Sequence, residues 1–286
     1  MTSSSEAVGP ANMGDTDQQA PRLAILGTGR MGEALLSGLL RSGAWRAGQI
    51  VCTTRTERRA EQVAERHPVT VHTNSPDAAA GADIVLIAVK PQSMAGLLAE
   101  IAPKLHRGQT VISVAAGVST TTIEAALLED LPVVRVMSNV PVQVDEAMSV
   151  LAAGAHASRA DVEVARTILG HVGKVMELAE EQLDAVTGLS GSGPAYVFLL
   201  AETMIDAAIL LGLPRDVATD LIAQTILGSA HMLRDSGRHP VELRESVTSP
   251  GGTTIAAIRV LEQERVRAAF INAIEAATLR SRELGG

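Results

Sequence analysis

Residues 22–40 constrain this chain more than any other stretch. Arg22-Leu23-Ala24-Ile25-Leu26 is a short apolar run, Gly27-Thr28-Gly29-Arg30-Met31-Gly32 follows at once, and Glu33-Ala34-Leu35-Leu36-Ser37-Gly38-Leu39-Leu40 has helical spacing. Strand, glycine turn and helix in that order open a dinucleotide-binding βαβ unit. The first glycine permits the tight turn, the second lets backbone approach a pyrophosphate, and the third lets helix pack on strand. A lone GxGxxG says little, but one between a strand and a helix commits this part of the chain to a Rossmann-type doubly wound α/β domain.

The next strand, Gln49-Ile50-Val51-Cys52, ends in Thr53-Thr54-Arg55-Thr56, where an NAD site would offer Asp or Glu to the adenosine ribose. No acid stands there. Arg55 among hydroxyls suits a 2′-phosphate through a charge-assisted contact, so the expected cofactor is NADPH, with NADH as the alternative. Arg55 as a solvated loop charge near Glu57 and Arg58 is the competing reading. Further on, Ala82-Asp83-Ile84-Val85-Leu86-Ile87-Ala88-Val89 has the near-continuous apolar character of a parallel strand buried on both faces, and it stops at Lys90-Pro91. Thr110-Val111-Ile112-Ser113-Val114 ending in Ala115-Ala116-Gly117 repeats the pattern. Ligands bind at the carboxyl ends of such strands, which places both turns beside the nicotinamide half of a cofactor. Val133–Met137, Ala147–Leu151 and Lys174–Leu178 read as three more strands, giving a sheet domain over 21–178.

From Glu180 the apolar period becomes helical. Pro194 follows Gly191-Ser192-Gly193 at a first-turn position, and Val197, Phe198, Ala201, Met204, Ile205, Ala208 and Ile209 share one broad face until Gly212-Leu213-Pro214. Tyr196–Leu211, interrupted by Glu202 and Asp206, is expected to be a buried helix too short to span a bilayer. Further helices are expected from Arg215 toward Leu233, over Val241–Val247, and as a single last helix over Thr254–Glu283. These helices carry more apolar face than one chain needs to hide, so a homodimer assembled into a larger homo-oligomer is expected from the 179–286 domain. With 286 residues, 46% of them apolar, the chain is long enough for two domains. Its net charge of −8 argues against nucleic acid or an anionic membrane as partner. The lone Cys52 excludes an internal disulfide and fits the cytoplasm. Residues 1–20, rich in Ser, Gly, Asp and Gln, read as a disordered tail. Seven histidines show no ligand spacing, so no metal site is expected.

One segment of the second half has its own chemistry. Val247-Thr248-Ser249-Pro250-Gly251-Gly252-Thr253-Thr254-Ile255 packs hydroxyls and glycines into a turn that runs straight into a helix beginning near Thr253. Such a turn aims successive N–H groups, and the positive end of the helix dipole, at one point. A small carboxylate fits there, and an ordinary capped helix start is the competing reading.

Pro240–Glu262, with Leu243, Val247, Thr248, Ser249, Gly251-Gly252, Thr254, Ala257, Ile258, Leu261 and Glu262 in step, resembles the signature of the Δ1-pyrroline-5-carboxylate reductases. Gly188–Phe198, Gly212–Arg215, Ala88–Pro91 and Ala115–Gly117 resemble that family too, over about residues 22–280. The resemblance implies reduction of a cyclic imino acid, (S)-1-pyrroline-5-carboxylate, to L-proline by NAD(P)H, the last step of proline biosynthesis. It implies that Thr254 is the catalytic residue at the imine nitrogen and that Ser249, Gly252 and Thr253 hold the substrate carboxylate with it. It implies cofactor contacts at Leu26, Gly27, Thr28, Gly29, Arg30 and Met31, at Arg55, at Asn74 and Ser75, at Ala88, Val89, Lys90 and Pro91, and at Ala115, Ala116 and Gly117. It also implies a site shared between the nucleotide domain of one chain and helices of its dimer partner. Around Asn139 the chain departs from the family, with Ser138, Val140 and Ala147 where Pro, Thr and Gly are usual.

Two other readings remain open at this point. Another two-domain Rossmann reductase, a β-hydroxyacid dehydrogenase or ketopantoate reductase, would need a catalytic lysine in the second domain, and beyond Lys104 only Lys174 is present. A non-catalytic NADP(H)-binding regulator would need no intact Ser249–Thr254 loop. The Arg55 reading has a direct test: Arg55→Ala should weaken NADPH binding far more than NADH binding in a fluorescence titration, and equal weakening would sink the assignment.

Overall fold

The computed structural model describes residues 20–285, so residues 1–19 of the expected tail lie outside the described residues. Eight strands form one sheet: β1 (Leu23–Leu26), β2 (Ile50–Thr53), β3 (Thr70–His72), β4 (Ile84–Ile87), β5 (Thr110–Ser113), β6 (Val133–Met137), β7 (Ala147–Ala153) and β8 (Gly173–Glu177). Their order across the sheet is β3-β2-β1-β4-β5-β6-β7-β8. Every neighbouring pair is parallel except β6 and β7, so the last two strands run against the first six. The sequence pattern missed β3, three residues at the sheet edge, two of them exposed, that lack the apolar run of a central strand.

The side-chain period of two sorts each strand between two cores. On one face Leu23, Ile25, Ile84 and Leu86 pack with α1 (Arg30–Arg41), α2 (Glu57–Arg66) and α6 (Arg159–Gly170) through Leu35, Val63 and Ile168. On the other, Ala24, Leu26, Val85 and Ile87 meet α3 (Ser75–Ala80), α4 (Met94–Ile101) and α5 (Thr120–Ala126) through Ala79, Leu98 and Ile123. This two-sided cover is why β1 and β4 read as unbroken apolar runs. Polar caps start the helices: Thr56, Asn74, Ser119 and Ser158 each accept a backbone N–H at the head of α2, α3, α5 and α6.

Beyond the sheet come α7 (Leu183–Val186), a π-helical turn (Thr187–Gly191), α8 (Gly193–Leu210), α9 (Arg215–Asp235), α10 (Pro240–Ser246), α11 (Thr253–Gln263) and α12 (Val266–Gly285). The single last helix expected from the sequence is broken in two. Arg265 adopts a left-handed conformation (φ 58°) at the break, and an Arg267–Glu262 ion pair spans it. No glycine or proline marks that point, so the apolar period alone ran straight through.

The expected burial of Tyr196–Leu211 is also overturned. No residue of α8 is buried, and the π turn joins it to the preceding turns as one helical run, Glu180–Leu210, long and apolar enough by composition to cross a membrane. Among the described residues, 27 large hydrophobic residues are exposed, of which only Leu128, Val140, Val144 and Met176 precede Gly188; the other 23 lie on the helical half. A helix apolar all round must be covered by something outside the protomer.

Two polar junctions tie this half to the sheet, and a third ties its own helices together. Glu180 accepts from the Thr120 N–H (2.8 Å) and hydroxyl (2.5 Å) at the head of α5 and from Arg135 on β6 (3.0 Å). Asn139 donates to the Ser190 carbonyl (3.0 Å) and accepts from the Met148 N–H (2.9 Å). Ser281 on α12 donates to Asp184 on α7 (2.7 Å), while Thr278 packs where any Gly188 side chain would sit. A π turn releases carbonyls from the regular helical ladder. Here Asn139 takes the Ser190 carbonyl, and the Tyr196 hydroxyl donates to that of Gly188 (2.9 Å).

Partial burial works to raise the Glu180 pKa, but the bonds from the Thr120 hydroxyl, the Thr120 N–H and Arg135 together hold it below the ordinary carboxylate value. The stability it contributes is therefore present above the unfolded carboxylate pKa and lost as pH falls through the lower folded value. Glu180→Gln should cost about 2 kcal/mol in urea unfolding at pH 7, and the gap from wild type should close as the pH is taken below about 4. A gap that stayed constant with pH would show the carboxylate's charge to be irrelevant.

Candidate active site

The order β3-β2-β1-β4 puts the topological switch between β1 and β4, and the glycine turn leaves β1 at that crevice. Gly27 has φ +92°, and a Cβ there would meet Val89 Cγ1 at 2.6 Å. A Cβ on Gly32 would meet the Gly27 carbonyl at 2.6 Å and the Ala88 Cβ at 3.3 Å. Two of the three glycines thus let turn, helix and β4 close on each other. Gly29 differs: no atom lies within 4 Å of where its Cβ would project. It also stands at the N-cap of α1, where no side chain caps the helix. An open face beside uncapped N–H groups is what a pyrophosphate requires, so the turn fits a dinucleotide.

Thr28 is held from β2: its N–H (2.7 Å) and hydroxyl (3.1 Å) both donate to the Thr53 carbonyl. Ser75 reaches the same point, its hydroxyl 3.1 Å from Thr53 Oγ1, so it stands beside the turn. The Asn74 side chain is engaged elsewhere, accepting from Asp77 N–H (3.1 Å) and donating to the Asp77 carboxylate (2.7 Å) as the cap of α3. Arg55 is exposed in the loop between β2 and α2. Arg30 is exposed at the head of α1 and Met31 is half-buried behind it, while Leu26 is wholly buried as the last residue of β1.

Ala88 donates its N–H to the Leu26 carbonyl (2.8 Å), which carries the ladder one residue past β4, and Val89 packs on Gly27. Lys90 and Pro91 are exposed at the same edge. Ala115, Ala116 and Gly117 follow β5; Ala116 is exposed, and Gly117 lies 3.5 Å by its projected Cβ from the backbone of Leu284, at the end of α12. The crevice therefore gathers Gly27–Met31, Ser75, Ala88–Pro91 and Ala115–Gly117 along one edge.

The Ser249–Thr254 loop is built separately. Gly251 turns the chain with φ +68°, and Gly252 donates its N–H to the Ser249 carbonyl (3.1 Å). A Cβ on Gly252 would fall 2.3 Å from Ser249 Oγ, so the serine hydroxyl folds directly over the glycine. Gly252 is the N-cap of α11 and no side chain caps that helix; Thr254 lies inside its first turn, so no hydroxyl of the loop caps it. Thr254 is half-buried, and Ser249 and Thr253 are exposed. Helix α11 packs on α12, and α10 on α9; neither packs extensively on the crevice edge of the sheet within the protomer. Burial pushes the Cys52 thiol up to about 12, so it is no nucleophile at neutral pH.

A family model described as pyrroline-5-carboxylate reductase dimerisation matches residues 180–284, and one described as coenzyme F420-dependent NADP oxidoreductase matches residues 22–117. The chain is 41% identical over 266 residues to a pyrroline-5-carboxylate reductase of Corynebacterium melassecola, covering 92% of this chain and 98% of the relative. The chain belongs to the pyrroline-5-carboxylate reductase family. It is 39% identical over 263 residues to the Arabidopsis thaliana reductase, covering 92% of this chain and 95% of the relative. Among solved structures, the reductase of Coxiella burnetii matches with a TM-score of 0.87 at 35% identity, over 93% of this chain and 99% of that one. The Plasmodium falciparum reductase with NADP bound matches at 0.85 and 28% identity, over the same shares.

The departures from the reductase pattern around Asn139 have local structural accounts. Ser138 is buried and accepts from the Ser149 hydroxyl (2.9 Å), Ala147 is buried at the start of β7, and Val140 is about half exposed. Sequence reasoning missed Arg59, whose guanidinium reaches the glycine turn from α2. Its partners Thr28 and Glu33 lie 31 and 26 residues away, and no local spacing announces them.

The open face of Gly29 gives a clean test. Its φ of −81° suits any residue, so Gly29→Val should leave the melting temperature within about 2 °C, yet weaken NADPH at least about tenfold by filling the space. Unchanged NADPH affinity would mean that the cofactor does not use this face.

Proposed function

We propose that this chain reduces (S)-1-pyrroline-5-carboxylate to L-proline with NAD(P)H, closing proline biosynthesis. Family membership supports the reaction class of an NAD(P)H-dependent oxidoreductase, and the observation that carries the substrate is the Ser249–Thr254 loop. There a glycine-permitted fold of Ser249 over Gly252 meets the uncapped start of α11. A substrate carboxylate is held by those N–H groups and by the Ser249 and Thr253 hydroxyls, which explains how a protein of net charge −8 takes an anion without a dedicated arginine. Thr254 places its hydroxyl against the imine nitrogen. A threonine hydroxyl is a weak acid, so it orients the imine and relays a proton or stabilises the iminium.

In this reading 21–178 is the nucleotide domain and 179–286 the dimerisation and substrate domain. The pyrophosphate lies over Gly29 with the Leu26–Met31 turn and Ser75, the 2′-phosphate meets Arg55, Asn74 borders the adenosine side, and Ala88–Pro91 and Ala115–Gly117 flank the nicotinamide. The bound cofactor supplies the hydride; the chain supplies orientation and shields the site from water. The loop and the crevice belong to different copies in a homodimer, which accounts for their not packing together in one protomer and for the uncovered α8. The dimer assembles further into a larger homo-oligomer, works in the cytoplasm, and covers its apolar helices with protein rather than membrane.

NADPH oxidation followed at 340 nm with pyrroline-5-carboxylate tests the reaction. Thr254→Ala should lower turnover about 10²-fold while NADPH affinity stays within about twofold of wild type. A variant with normal turnover and weakened NADPH binding would remove Thr254 from the chemistry.

A further inference from the structure

Beneath the glycine turn lies a charged cluster that the proposed reaction does not use directly. Arg59, in the first turn of α2 and four residues after Arg55 in the preceding loop, donates through Nε to the Thr28 carbonyl at 3.2 Å and through Nη2 to Glu33 on α1. Arg66 (2.8 Å) and His67 (3.3 Å) meet the other oxygen of the same Glu33 carboxylate. The Arg59, Glu33 and His67 side chains are 30%, 20% and 15% exposed, so this part of the cluster is partly shielded from solvent, while Arg66 is 51% exposed.

We infer that Arg59 is a positioning residue for the cofactor turn, locking the Thr28–Gly29 segment to α1 and to the Arg55 loop so that the dinucleotide meets one preformed surface. This rests on the dinucleotide reading above and deepens it. Thr28 is fixed from two sides: β2 takes its N–H and hydroxyl, and Arg59 takes its carbonyl. A carbonyl left free beside the open Gly29 could turn toward an incoming phosphate and repel it. Arg59 removes that freedom.

The second effect is electrostatic. Glu33 lies in the first turn of α1, and an unpaired carboxylate there would oppose a pyrophosphate at the helix start. Burial works to raise its pKa, but Arg59, Arg66 and His67 together hold it below the ordinary carboxylate value, so it remains an ion whose charge is cancelled locally. Arg59 also joins the two halves of the cofactor surface. The N–H of Arg59 is the one that Thr56 caps, and Thr56 directly follows Arg55. Two of the five N–H donors of this guanidinium are committed to Thr28 and Glu33, which fixes its plane between the turn and α1 and makes it a brace.

Fluorescence titration of the purified full chain with NADPH and with NADH, without substrate, tests this independently of turnover. Arg59→Met should raise Kd about tenfold for both cofactors alike, because the turn serves the pyrophosphate they share. Arg59→Lys should recover part of the loss, and Arg58→Met, on the exposed side of α2, should match wild type. In steady state the Arg59→Met defect should fall on KM for the cofactor and fade at saturating NADPH. A loss confined to NADPH would overturn the inference by making Arg59 a 2′-phosphate ligand, and unchanged Kd values would overturn it outright. Cofactor binding with the expected Arg59 pattern but no pyrroline-5-carboxylate turnover would defeat the proposed reaction and leave the brace standing.

Discussion

The close approach of β1, α1 and β4 at the glycine turn is the constraint on which the rest of the structure depends. Gly27 and Gly32 let the Val89 side chain, the Gly27 carbonyl and the Ala88 methyl come nearer than any side chain at those positions would permit. Because the strands on either side of β1 lead away in opposite directions, this one contact sets where the crevice opens. Three features of the crevice follow from it: the uncapped head of α1, the open space beside Gly29, and the edge shared by Ala88–Pro91 and Ala115–Gly117. Interiors pack at crystal-like density, so a single methyl at Gly27 or Gly32 would push apart elements that carry a whole binding surface.

A second constraint runs through the helical half. It has almost no core of its own: α8 through α11 bury only Ala218, and α12 only Ser281. The helices are held instead at the root, by Glu180 on Thr120 and Arg135, by Asn139 on the π turn, and by α12 lying along that turn. This is an arrangement for reaching out to another copy, in keeping with the dimerisation family that matches 180–284. Rooting by hydrogen bonds and covering by a partner also explains a chain that is 46% apolar with only 1% aromatics. Many small aliphatic contacts spread over long helices suit an interface that must be continuous rather than anchored at a few rings.

Much of the fold was legible before any coordinates. Strands β1, β4 and β5 announced themselves as apolar runs ending in small residues, because a strand covered on both faces has no polar side to show. β3 did not, since an edge strand of three residues, two of them exposed, has no such run. Helix positions were readable from their period and from Pro194 and Gly212, whereas the break at Arg265 was not, being made by a backbone conformation that Glu264 and Arg265 do not advertise. The length of Glu180–Leu210 was hidden because Gly188, Gly191 and Gly193 read as interruptions, while the chain threads them through a π turn whose released carbonyls find Asn139 and Tyr196.

For the site, the order of residues along the chain was sufficient to nominate the glycine turn and the Ser249–Thr254 loop, since both are local: a few consecutive residues determine a turn and the helix start after it. The sequence by itself determined the two-part architecture, the dinucleotide turn and the family. Tertiary structure alone decided how Ser249 lies over Gly252, that Gly252 rather than a hydroxyl heads α11, that β7 and β8 run against the other strands, and that Arg59 reaches back to Thr28. The physical reason is range. Turns and periodic faces are written in neighbouring residues, but which distant carbonyl a guanidinium meets, and which apolar helix remains uncovered, depends on how the whole chain is packed.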